Sequence, residues 1–264
     1  MTLYETLETR TDDRGVTTVT LNRADKHNAM SAAMMDDLHA AAQRLGRDPA
    51  VRVVVLTGAG ESFCAGGDLE WMRAQMEADG PQRAREARRL AEMLGALNTL
   101  PKPLIGRVQG QAFGGGLGLI SVCDVAVAAD TARFGLTETR LGLIPATIGP
   151  YVLARMGEAK ARRIFMSARR FDAAEAVALD LLARAVPAAM LDDAVEAEIK
   201  PYLATAPGAV AEAKRLVRAL GPRIDDAVIA ETIEALTTRW ESDEAAEGVA
   251  AFFSRRKPRW ADGG

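Results

Sequence analysis

Few residues in this chain are equipped to do chemistry, and that scarcity narrows the choice. There are two histidines, His27 and His39, and two cysteines, Cys64 and Cys123. So small a supply disfavours a histidine-built metal site and a serine-histidine-aspartate triad, and no Gly-x-Ser-x-Gly nucleophile turn occurs. Nothing beside Cys64 lowers a thiol pKa, so it reads as a small buried residue and not a nucleophile. What stands out instead is glycine placed near acids: Gly66-Gly67 before Asp68, Gly114-Gly115-Gly116, and Phe134-Gly135 before Glu138. Glycine lets backbone N–H groups approach a ligand because no Cβ intervenes. A glutamate can give or take a proton at carbon when burial raises its pKa and it lies within reach.

The elements that must position these residues alternate between strand and helix. Val16–Leu21 is β-branched and alternating, as a strand should be. Ser31 is a fitting N-cap for a helix that carries Met34, Leu38 and Leu45 on one face. Buried strands are predicted over Val51–Thr57, Leu104–Val108 and Val122–Ala128, and a long helix over Pro81–Leu100 with Leu90, Met93, Leu94 and Leu97 on its apolar side. A helix is also predicted to begin near Gly115, where its dipole would favour negative charge. Asp124 reads as structural. After about Met156 strand signals thin out, and prolines punctuate a run of helices. The expected organisation is an α/β core over residues 1–200 and a helical region over residues 201–264.

Bulk properties set the outer limits. The chain has 264 residues, 48% of them hydrophobic, enough to bury a sizeable core. Its 33 basic residues against 36 acidic ones give no bulk case for nucleic acid. No stretch of ~20 apolar residues suggests a membrane span, and the first fifteen residues lack the apolar run of a signal peptide. Two unpaired-looking cysteines fit a reduced, cytoplasmic setting. Alternating strands and helices raise the prospect of a dinucleotide-binding sheet. However, Gly58-Ala59-Gly60 meets Phe63, and Gly116-Leu117-Gly118 meets Ser121, where the third glycine should stand.

Three segments carry a resemblance that outweighs that prospect: Phe63-Cys64-Ala65-Gly66-Gly67-Asp68-Leu69; Lys102-Pro103-Leu104-Ile105 running through Gln109–Leu117 to Cys123-Asp124; and Ala132–Glu138 followed by Leu141-Gly142-Leu143-Ile144-Pro145. With Asn22-Arg23, Lys26, Asn28-Ala29 and the tail Ala251–Pro258, the chain resembles the crotonase (enoyl-CoA hydratase/isomerase) family over nearly its whole length. The resemblance implies a β-β-α spiral core and a C-terminal helical region used for trimerisation, as a trimer or dimer of trimers. It implies an acyl-CoA substrate, with coenzyme A as part of that substrate and no separate cofactor or metal.

Residue by residue, the resemblance makes the N–H groups of Gly67 and Gly115 the donors to a thioester oxygen that gains negative charge during reaction. Glu138 becomes the acid/base. Lys26, Ala65, Asp68 and Leu69 line the adenine and pantetheine path, and Phe252 and Arg255 match positions that reach the coenzyme, often from a neighbouring subunit. One departure is informative: hydratases of the family carry a second glutamate where this chain has Gly118. Three chemistries follow: hydration through Glu138 alone, double-bond isomerisation by one shuttling carboxyl, or different acyl-CoA chemistry such as thioester hydrolysis or dehalogenation. A catalytically silent binding or scaffolding protein is the remaining alternative. Gly135–Tyr151, with Ala146-Thr147-Ile148-Gly149-Pro150 in place of a glycine-rich turn, is similar to the methylglutaconyl-CoA hydratase branch, which implies a branched, carboxylated acyl group. On that reading the missing side chain at Gly118 enlarges the pocket, and Arg73 or Arg140 pairs with the distal carboxylate.

Overall fold

The computed structural model describes residues 4–261, leaving Met1–Leu3 and Asp262–Gly264 aside. In chain order the first half contains β1 (Leu7–Thr11), β2 (Val16–Leu21), α1 (Ala32–Arg47), β3 (Val53–Gly58), β4 (Ser62–Cys64), α2 (Leu69–Glu77), α3 (Gly80–Asn98), β5 (Leu104–Val108), β6 (Gln111–Phe113) and α4 (Gly115–Val122). The second half adds β7 (Val125–Ala129), β8 (Arg133–Gly135), α5 (Gly149–Met156), α6 (Glu158–Phe165), β9 (Phe171–Asp172), α7 (Ala173–Ala178), β10 (Arg184–Val186), α8 (Leu191–Leu203), α9 (Pro207–Leu220), α10 (Asp226–Trp240) and α11 (Asp243–Phe253).

The strands form two sheets, ordered β1-β2-β3-β5-β7-β10 and β4-β6-β8-β9. Each turn of the chain gives one strand to the large sheet, the next to the small sheet, and then a helix: β3 and β4, β5 and β6, β7 and β8. This is the β-β-α spiral expected of the crotonase fold. Except for antiparallel β1, neighbours in the large sheet run parallel. Parallel strands covered on both faces become continuously apolar, and β3 shows why. Val54 and Leu56 enter the main core, while Val53 and Val55 point to a second core under α8, with Leu191, Val195 and Ile199.

Local chemistry sets the helix ends. The Ser31 side chain accepts from Met34 N–H at the start of α1, as expected. Asp79 and Gln82 form a reciprocal capping box on α3, with Pro81 in its first turn. The predicted strand at Val122–Ala128 begins late, because Val122 still closes α4. Asp124 then breaks the chain, accepting from Leu104 N–H and from Lys214 Nζ, both at 2.7 Å. β9 and β10 lie where strand signals thin out in the sequence. They are two and three residues long, too short to leave an alternating signature, and are fixed by pairing with β8 and β7.

Residue 200 falls inside α8. Beyond it, α10 lies on α3 and sends Ile229 and Ile233 into the main core. α11 lies on the Glu138–Leu141 turn, close enough that a Cβ at Gly248 would meet Leu141 O at 2.6 Å. α9 alone among these buries no residue and leaves Leu216, Val217 and Leu220 exposed. No helix among the described residues is long and apolar enough to cross a membrane.

Candidate active site

A cavity of about 400 Å³ opens where the starts of α2 and α4, the Glu138 turn and the C-terminal helices meet. That volume suits a small acyl group. Among its lining residues are Ala65, Gly67, Leu69, Gly115, Glu138 and Phe252, six of the residues singled out from sequence. Lys26, Asp68, Gly118 and Arg255 are not among them.

The two glycine segments are held together through Met30. Met30 forms a β-bridge with Gly67, donating to Gly66 O at 2.7 Å and accepting from Asp68 N at 3.0 Å. Its Cε also stands 3.0 Å from where a Cβ on Gly115 would lie. Gly115 opens α4, so its N–H has no partner within the helix. Among the described residues, neither the Gly67 nor the Gly115 N–H donates to another group of the chain. Both residues line the cavity, so two unspent donors stand at its wall.

Gly114 and Gly116 make that placement possible. Gly114 has φ +48° and ψ −117°, a conformation for glycine, and a Cβ there would stand 3.0 Å from Glu138 Oε1. At Gly116 a Cβ would lie 2.6 Å from Cys64 O, so only glycine lets α4 sit against β4.

Glu138 begins a 3-10 turn, Glu138–Leu141, after β8. As a residue it is half-buried, yet its Oε2 is sealed from solvent and has no hydrogen-bond partner. Burial pushes its carboxyl up to about 7, partly opposed by the N–H groups of Glu138 and Thr137. Among the described residues, no other carboxylate lines the cavity. The arrangement is one carboxyl poised to exchange a proton near neutral pH, beside two backbone donors in a largely apolar chamber.

Several expectations need correction. Gly118 does not enlarge the cavity: Ile148 fills the space beside it, with Cγ2 2.7 Å from a would-be Cβ. Asp68 is spent on structure. Its Oδ1 caps α2 by accepting from Glu70 and Trp71 N–H, and its Oδ2 accepts from Arg23 at 2.9 Å. Burial pushes the Asp68 carboxyl up, but Trp71 N–H, Arg23 and Glu70 N–H together hold it below its ordinary value. Lys26 ends an exposed turn outside the cavity, although the next residue, His27, accepts from Ala65 N at 3.0 Å and so ties that turn to the rim. Arg73 stacks on Phe253 at 4.6 Å, whereas Arg140 does reach the cavity. Phe252 reaches the cavity of its own chain, while Arg255 follows α11 with φ +52°. Cys64 is buried, and burial pushes its thiol up to about 11.

Other lining residues escaped sequence reasoning. Trp71 is turned by Glu86, which accepts its indole N–H at 2.9 Å. Arg170 lies 5.1 Å from the Phe113 ring centre. Trp240 arrives from α10. None belongs to a glycine motif, so only three-dimensional packing brings them in.

The description "enoyl-CoA hydratase/isomerase" belongs to the family model that matches residues 11–263. The chain belongs to the enoyl-CoA hydratase/isomerase family. A relative from Rhizobium meliloti, named a probable enoyl-CoA hydratase, is 35% identical over 259 residues, covering 96% of this chain and 97% of its own. The solved structure of an enoyl-CoA hydratase from Shewanella pealeana is 37% identical with a TM-score of 0.80, covering 98% and 97% of the two chains. That of an enoyl-CoA hydratase from Mycobacterium avium is 30% identical with a TM-score of 0.84, covering 98% and 100%. Membership agrees with the β-β-α spiral.

Proposed function

We propose that this family member hydrates an α,β-unsaturated acyl-CoA, of the branched and carboxylated 3-methylglutaconyl type, through Glu138 alone. The observation that carries the reading is the Glu138 carboxyl, whose Oε2 is sealed and without a hydrogen-bond partner, lining the same chamber as Gly67 and Gly115 with their unspent N–H groups. In the ionised state Glu138 takes a proton from water as the water oxygen bonds to the β-carbon. The π electrons shift to the thioester oxygen, where the two N–H groups stabilise the charge. Glu138 then returns the proton to the α-carbon and the enolate collapses. One water has been added, and the carboxylate is restored.

The carboxylated substrate is supported by Arg140 and Arg170. Both line the cavity, and among the described residues neither forms an ion pair. The coenzyme enters as part of the substrate, and Ala65 and Leu69 offer it a path. The exposed apolar residues of α9 support a homo-oligomer, a trimer or dimer of trimers, since such a face is stabilised by cover. A second reading, double-bond isomerisation, is favoured by one feature: a single carboxyl among the described lining residues, in a largely apolar chamber, has all that is needed to move one proton between two carbons. The test is kcat/KM for 3-methylglutaconyl-CoA, crotonyl-CoA and a 3-enoyl-CoA. The proposal expects the first to exceed the other two; turnover of the 3-enoyl-CoA alone establishes the isomerase.

A further inference from the structure

Gly118 lies three residues beyond Gly115 on α4, so the two share a helix face. A Cβ built on Gly118 would stand 2.7 Å from Ile148 Cγ2, 3.2 Å from Ile148 Cβ and 3.6 Å from Leu94 Cδ1. A side chain leaving position 118 would therefore enter the volume that Ile148 occupies. Ile148 is 3% exposed and is anchored at the start of α5, its carbonyl accepting from Val152 N at 3.1 Å. Being β-branched, it is stiff at its first side-chain torsion and does not swing aside as a longer, unbranched chain would. Ile148 lines the cavity and Gly118 does not.

We propose that Gly118 and Ile148 form an interlocked pair, and that Ile148 is the residue that fixes this site's selectivity. It occupies the space that a side chain at position 118 would enter, and among the described residues Glu138 is the sole carboxyl lining the cavity. The wall it presents is apolar. Such a wall packs well against a methyl branch on the acyl chain and offers no second handle for water.

The pair is tested with Gly118→Glu, Ile148→Gly and the double variant, measuring Tm and kcat/KM for crotonyl-CoA and 3-methylglutaconyl-CoA. Gly118→Glu alone is expected to lower Tm and to depress turnover of both substrates. Ile148→Gly is expected to cut the preference for the branched substrate about tenfold, the scale of one apolar contact in a pocket. The double variant is expected to melt above Gly118→Glu and to hydrate crotonyl-CoA faster than either single variant. A Gly118→Glu protein with the parent's Tm, a double variant no more stable than Gly118→Glu, or an unchanged preference in Ile148→Gly each overturns the proposal. The kinetic arm rests on the hydratase reading, and the thermal arm does not. A parent inactive on every enoyl-CoA removes that reading, and the Tm of the double variant against Gly118→Glu then decides whether the two positions interlock.

Discussion

Replacing Glu138 by glutamine should make the protein more stable at alkaline pH while removing its activity. The carboxyl's ordinary value is 4.5 and burial lifts it to about 7. Below 4.5 the group is protonated in both the folded and unfolded chains, and ionisation costs nothing. Between the two values the unfolded chain ionises while the folded one holds its proton, so stability falls as pH rises. Above about 7 the full penalty is present. At about 1.4 kcal/mol per pH unit between the two values, it amounts to about 3 kcal/mol. Glutamine has no charge to desolvate and escapes it, at the expense of leaving its amide without a partner, about 1 kcal/mol. Urea unfolding of the parent and Glu138→Gln should therefore give a variant about 2 kcal/mol more stable at pH 8.5 and no more stable than the parent at pH 4.5. Equal stabilities at pH 8.5 would mean that the carboxyl is hydrated, and the reasoning from its burial would fail.

The same value predicts that kcat/KM for hydration rises with pH through about 7, because the base must be ionised; a profile already flat from pH 5 would contradict it. Gly114→Ala places a Cβ at positive φ and 3.0 Å from Glu138 Oε1; it should destabilise the protein by about 2 kcal/mol and slow turnover about tenfold or more, read by urea unfolding and steady-state kinetics. Asp68→Ala removes the α2 cap and leaves Arg23 without its carboxylate; it should cost about 2 kcal/mol in urea unfolding while KM for the acyl-CoA stays near the parent's. Sedimentation should give a trimer or hexamer mass for the parent and a smaller species for Val217→Glu on α9; a monomeric parent would remove the assembly from the proposal.

Much of the fold was legible because its strongest signals are local. Val16–Leu21 and Leu104–Val108 are strands with the predicted ends, each rich in β-branched or aliphatic residues and bounded by turn residues. The start of α4 at Gly115 was visible for the same reason. The short strands of the small sheet were not, because two or three residues hold no period and are defined only by their partners. Within the site, the glycine segments and Glu138 are contiguous motifs and could be found in the sequence. Gly118 reads in the sequence as a departure that opens space, whereas Ile148, 30 residues away, fills the place beside it. That turn had been noted as unusual at Ala146–Pro150; only packing joins the two departures into one. The motif around Asp68 suggests ligand contact, and packing adds what the motif does not show: its carboxylate is engaged by α2 and Arg23.

The most direct test of the account is turnover of 3-methylglutaconyl-CoA in oxygen-18 water by the parent and by Glu138→Gln. The account predicts one labelled oxygen at the β-carbon, formed by the parent and slowed ~10²–10⁴-fold in the variant. A shifted double bond without label, or labelled product formed equally fast without the Glu138 carboxylate, would contradict it.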